Sequence, residues 1–96
     1  MQGSELRRGK LQILADILYL CRSPQAKTRI MQKTNTSYVS LQKHLMELRK
    51  LSLVELQPET SKYAITQRGF VFLEKWKKLE ELLVPEDQIV LTKLTN

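Results

Sequence analysis

The sequence predicts an α+β chain that is mostly helical, and three observations lead there. Residues 28–34 and 37–50 read as a short and a longer helix around the polar turn Thr34-Asn35-Thr36-Ser37. Leu53-Val54-Glu55-Leu56 and Tyr63-Ala64-Ile65-Thr66 follow as two short strands on either side of a turn-rich loop. Positive charge is concentrated ahead of that hairpin: residues 1–50 hold ten Lys/Arg against three Asp/Glu, and residues 51–96 hold six against seven. A three-helix core with a β-hairpin wing, extended by one more helix, is the winged helix-turn-helix layout. Its commonest use is to set one helix in a DNA groove.

The first helix is expected over residues 5–22. Ile13, Leu14, Ile17, Leu18 and Cys21 recur at three- and four-residue steps and make one buried stripe. Ser4 is the expected N-cap. Ser23-Pro24 stops the helix, because the residue before proline avoids the α region. Residues 24–27 are expected to run extended and to add a third strand to the hairpin. The second helix carries Ile30 and Met31 inward. No glycine marks the turn after it, and Asn35 takes that role, since asparagine tolerates positive φ better than most residues. Ser37 caps the third helix, whose core face is read as Tyr38, Leu41, Leu45 and Leu48. Its opposite face holds Val39, Ser40, Lys43, Glu47 and Lys50, flanked by Gln42 and Met46.

Val54, Leu56, Tyr63 and Ile65 alternate as in a half-buried hairpin, with Pro58-Glu59-Thr60-Ser61 as the wing tip. Thr66 caps a fourth helix that runs to about Leu83, and Pro85 ends it. Gly69 in its first turn costs about 1 kcal/mol of helix propensity, and close packing against the first helix is the expected compensation. Ile89, Val90, Leu91 and Leu94 make residues 85–96 too apolar for a free tail. The expected organisation is one compact domain: residues 1–66 the winged helix-turn-helix, 67–84 the added helix, and 85–96 a tail.

Composition narrows the function. The net charge is +6 with a pI near 9.7, which suits a polyanionic partner. Cys21 is the only cysteine, so no internal disulfide is expected, and a reducing, cytoplasmic setting fits. Neither a signal peptide nor a membrane span is expected. One His and one Cys make no metal site of the usual spacing, and there is no glycine-rich phosphate loop. Glu80 and Glu81 are adjacent on a helix and point about 100° apart, so they make no catalytic pair. No enzyme, cofactor or metal is expected.

The nucleic-acid reading divides by chemistry. Ser37, Val39, Ser40, Gln42 and Lys43 are the candidates for base edges, because the N-terminal half of a recognition helix goes deepest into the major groove. Gln42 suits adenine, Lys43 guanine and Val39 a thymine methyl. Arg7, Arg8, Lys10, Lys27, Thr28, Arg29, Lys50 and Lys62 are the phosphate candidates, which set register and carry no sequence information. Glu55 and Glu59 leave Lys62 as the wing's only cation, so light contacts are expected there. On the fourth helix Phe72, Trp76, Leu79 and Leu83 recur at heptad spacing and are read as a dimer seam, with Phe70 and Leu73 turned to the domain's own core.

Arg7-Arg8-Gly9-Lys10-Leu11, Ala26-Lys27-Thr28-Arg29-Ile30-Met31, Asn35-Thr36-Ser37-Tyr38, Leu41-Gln42-Lys43-His44-Leu45 and Tyr63-Ala64-Ile65-Thr66-Gln67-Arg68-Gly69 together resemble the small archaeal winged-helix DNA-binding proteins. The resemblance spans about residues 6–83 and is nearest to the ten-kilodalton class with a dimerising C-terminal helix. It implies a homodimer on double-stranded DNA, associated with the nucleoid, as a transcription regulator or a chromatin component. The alternative from a different class is a winged helix used as a protein–protein module.

Overall fold

A computed structural model describes residues 9–83. The elements run α1 (Lys10–Leu20), β1 (Gln25–Ala26), α2 (Lys27–Thr34), α3 (Tyr38–Lys50), β2 (Val54–Gln57), β3 (Lys62–Ile65) and α4 (Gln67–Glu81). Gly9 stands at the N-cap of α1, so the helix begins five residues after the expected start. Ser4 and residues 84–96 lie outside the described residues. The helix ends at Cys21, just ahead of the Ser23-Pro24 stop.

The strands form one antiparallel sheet in the order β1-β3-β2, with Val54 opposite Ile65, Leu56 opposite Tyr63, and Gln25 opposite Tyr63 on the other side. The expected third strand is therefore present, although only two residues long. Beneath the sheet, Leu14, Ile17, Leu18 and Cys21 of the first helix meet Ile30, the α3 stripe Leu41, Leu45 and Leu48, and Leu53, Val54 and Tyr63. Each of the large aliphatic side chains in that cluster contributes about 1.5–3 kcal/mol by leaving water. Tyr38 does not join them. It is 59% exposed, because helical side chains lean toward the N-terminus and the first residue of α3 leans past the end of the core.

Local chemistry bounds α2 and α3. Asn35 adopts φ 55° after α2. The Ser37 hydroxyl accepts from the Ser40 N–H at 3.1 Å. At the end of α3, Ser52 sits at φ 61° and its N–H donates to the Arg49 carbonyl, while the Leu53 N–H donates to that of Leu48. This is a Schellman ending with serine where glycine is usual.

Three consecutive carbonyls then receive the start of α4. Leu51 accepts from Arg68 Nε at 2.9 Å, Ser52 from the Thr66 hydroxyl at 2.6 Å, and Leu53 from the Thr66 N–H at 3.1 Å. The same Thr66 oxygen caps α4 by accepting from the Gly69 N–H. Gly69 is thus pressed against this junction rather than against α1. A Cβ there would meet the Leu53 carbonyl oxygen and the Ile65 side chain. Along α4, Phe72 and Leu73 pack on the core, while Phe70 stays 45% exposed. The two phenylalanines thus exchange the places that heptad spacing predicts for them.

Two substitutions of opposite sign test this junction. Gly69→Ala gains about 1 kcal/mol of helix propensity. It nevertheless lowers stability, by about 2 kcal/mol net, because the clash is with backbone that cannot swing away. Ser52→Gly relieves a positive φ and raises stability by about 0.5–1 kcal/mol. Urea denaturation of both variants measures the pair.

Burial pushes the Cys21 thiol up to about 12 from its ordinary 9.0. In the unfolded chain the thiol ionises near 9.0, whereas in the folded chain it stays protonated to about 12. Its contribution to stability is therefore complete below pH 9 and is lost progressively above it. The stability difference between the wild-type chain and Cys21→Ala should hold constant to about pH 9 and shrink at higher pH. A difference still constant at pH 11 would show that folding leaves the thiol's ionisation unchanged.

Candidate nucleic-acid interface

The outer face of α3 is built by what the inner face buries. With Leu41, Leu45 and Leu48 turned into the core, Val39, Ser40, Lys43, Met46 and Lys50 are left exposed on the far side. Arg49, which the helical wheel does not single out, is exposed in the last turn. Neither α2 nor α3 has an acidic residue in its first turn. The N-cap of α2 is Ala26, which has no side-chain hydrogen bond to offer, so N–H groups of the first turn remain available to an outside acceptor. Thr28 and Arg29 are exposed beside them.

Two of the expected phosphate contacts are occupied within the chain. Lys10 Nζ lies 2.5 Å from Glu47 Oε2, joining the start of α1 to the middle of the outer face. Lys10 is exposed and Glu47 half-buried, so the pair is worth at most about 1 kcal/mol. Lys10, Lys43, His44, Met46, Glu47 and Lys50 line an open groove of about 540 Å³ at this place.

Lys27 is held more firmly. Its ammonium donates to Gln42 Oε1 and stands 4.7 Å from the centroid of the Tyr38 ring. Cation–π attraction of this kind is worth about 0.5–1 kcal/mol at exposed sites. Lys27 and Gln42 are both half-buried, so neither is the free side chain that the helical wheel suggests. Tyr38 joins this cluster instead of the core. The available clue was its position directly after the N-cap, where the lean of the side chain carries it toward the start of α2.

The wing keeps its polar groups largely to itself. The Thr60 hydroxyl donates to Gln57 Oε1 at 3.1 Å and accepts from the Lys62 N–H, and Ser61 turns the chain at φ 58°. Glu55, Glu59 and Lys62 are exposed. Arg7 and Arg8 lie outside the described residues.

On α4 the expected seam divides. Phe72 is packed inward and Trp76 is half-buried, whereas Leu79, Leu82 and Leu83 are 43%, 78% and 61% exposed. The exposed part of the expected seam is therefore at the end of the helix. No helix among the described residues is long and apolar enough to cross a membrane.

Comparison with known proteins agrees with this geometry. No curated protein matches the chain. Among solved structures, that of Sso10a-2, a DNA-binding protein from Sulfolobus solfataricus, is similar with a TM-score of 0.68 and 28% identity, over 93% of this chain and 98% of that one. The expected resemblance to small archaeal winged-helix DNA-binding proteins is thereby borne out. Lactococcus lactis ZitR is similar in fold, with a TM-score of 0.56 and 19% identity over 90% of this chain and 72% of its own. The family model described as "Winged helix-turn-helix" matches residues 7–84. The chain belongs to the winged helix-turn-helix family.

Proposed function

We propose that the chain binds duplex DNA as a homodimer and acts as a transcription regulator on the nucleoid, in the cytoplasm, with α3 entering the major groove. The observation that carries this reading is the outer face of α3. It presents Ser40, Lys43 and Lys50 exposed, next to the N-terminus of α2, which has no side-chain cap among the described residues, with Thr28 and Arg29. The similarity to Sso10a-2, itself a DNA-binding protein, supports the same partner.

In this reading Ser37, Val39, Ser40 and Lys43 face base edges, and Thr28, Arg29 and Lys50 take phosphates. Lys10 joins them once released from Glu47. Arg7 and Arg8 precede Lys10 in the sequence and extend the same basic stretch. Lys62 adds a light contact from the wing. The dimer forms through the apolar end of α4, by Leu79 and Leu83 with Leu82 beside them and Trp76 at the margin. Two recognition helices on one side of the duplex then require half-sites about 34–36 Å apart. The exposed leucines and the acidic wing favour a second reading, a module that docks another protein.

Fluorescence anisotropy with mixed-sequence duplexes across a salt titration decides between the readings. DNA binding predicts an affinity that falls steeply with salt, with a slope of about 0.9 per phosphate neutralised. Replacing Arg29, Lys43 and Lys50 together by Ala should flatten that slope by about 0.9 for each phosphate that is no longer neutralised. Equal affinity for every sequence would favour a non-specific chromatin role, and no binding at low salt would favour the protein-docking module.

Sedimentation at tens of micromolar tests the dimer. The expected species has twice the 11.2 kDa chain mass, and Leu79→Glu with Leu83→Glu should return it to the monomer without loss of helix content. A wild-type monomer at that concentration would refute the dimer.

A further inference from the structure

A lysine ammonium carries three donors and no acceptor, so the Gln42 atom that faces Lys27 must be the amide oxygen. That contact decides what Gln42 can offer to DNA. A free glutamine recognises adenine by presenting both an acceptor to N6–H₂ and a donor to N7. With one of the two lone pairs of its oxygen held by the Lys27 ammonium, Gln42 keeps a weakened acceptor and offers an outside partner mainly its NH₂ group. The surrounding groups reinforce the same sign. Lys27 itself is a donor, Lys43 is the adjacent residue on α3, and the Tyr38 ring 4.7 Å away holds the ammonium against the amide.

We infer that Lys27 is a positioning residue for sequence choice, one that turns Gln42 from an adenine reader into a donor-biased reader favouring guanine. Guanine alone presents two acceptors, N7 and O6, to the major groove, whereas adenine beside a donor-rich cluster sets its N6–H₂ against other donors and a weakened acceptor. The inference rests on the reading above, that α3 enters the major groove. It assigns Lys27 a role different from the phosphate contact that its charge suggests. It also assigns Gln42 a base different from the one that its residue type suggests.

The test is selection from randomised duplexes by the wild-type chain, K27R, K27M and Q42A, each checked for helix content by circular dichroism. The wild-type chain should enrich guanine at a position where Q42A loses its preference. K27R retains a donor for the glutamine oxygen and should keep guanine. K27M frees that oxygen and should move the preference at that one position toward adenine, by roughly five- to tenfold. If K27M does not fold, Tyr38→Ala serves instead, since the ring is mostly exposed and its loss loosens the ammonium. In the free protein, the Gln42 side-chain amide NMR signals should differ between the wild-type chain and K27M.

Three results would overturn the inference: the same base selected by wild type and K27M, adenine already selected by wild type, or no base preference in wild type. Unchanged Gln42 amide signals in K27M would overturn it without any DNA present. Failure of every variant to bind duplexes at low salt would instead sink the DNA reading itself.

Discussion

The three carbonyls of Leu51, Ser52 and Leu53 are the acceptors on which the rest of this structure depends. A helix leaves its last carbonyls without partners inside the helix, so they are paired by other parts of the chain or by water. At the end of α3 the Schellman ending satisfies the carbonyls of Leu48 and Arg49. The three that follow are satisfied by the first residues of α4, through Arg68 and both hydrogen-bonding groups of Thr66. Everything between them, the β2–β3 hairpin, is consequently a loop closed at its base. The direction of the wing relative to α3 is set by that closure, and Gly69 is required where α4 comes within contact distance of the Leu53 carbonyl.

Pinning the end of α3 has a consequence at its other end. The helix is anchored at its C-terminal turn by the junction and along one side by Leu41, Leu45 and Leu48. Its first turn projects beyond the core, where Tyr38 meets the first residue of α2. The Lys27–Tyr38–Gln42 cluster is thus formed by two helix starts brought together across the turn that Asn35 makes possible with its positive φ. The charges on this face follow a division of labour. Lys10 and Lys27 are engaged by partners within the chain, while Arg29, Lys43 and Lys50 face outward with no such bond among the described residues.

A second surface is independent of the first. Leu79, Leu82 and Leu83 lie at the end of α4, beyond the part of the helix that packs on α1 and the core. Because α4 is fixed at its start by the Leu51–Leu53 carbonyls, its apolar end stands at a defined place relative to α3. In the dimer proposed above, the two α3 helices would stand at a spacing set by the hydrogen bonds of Arg68 and Thr66 to those carbonyls.

Much of this was determined by the sequence alone. Periodicity placed the four helices and the hairpin, because burial of one face imposes the helical or the strand period wherever the core is touched. Asn35 at the turn and the hydroxyls of Ser37 and Thr66 at their caps were legible for the same local reason: each acts on backbone within a few residues of itself. The exposed cations of α3 followed from the wheel once Leu41, Leu45 and Leu48 were assigned inward. What only the tertiary structure decided involves groups distant in the chain. Tyr38 lies on the core side of the wheel yet extends past the core, Gly69 meets Leu53 instead of α1, and Phe72 turns inward while Phe70 does not. Lys27 and Gln42, fifteen residues apart, are bonded to each other. A helical wheel describes one helix against an unlimited core; where a helix ends, and what stands opposite its last turn, depends on how the other elements close around it.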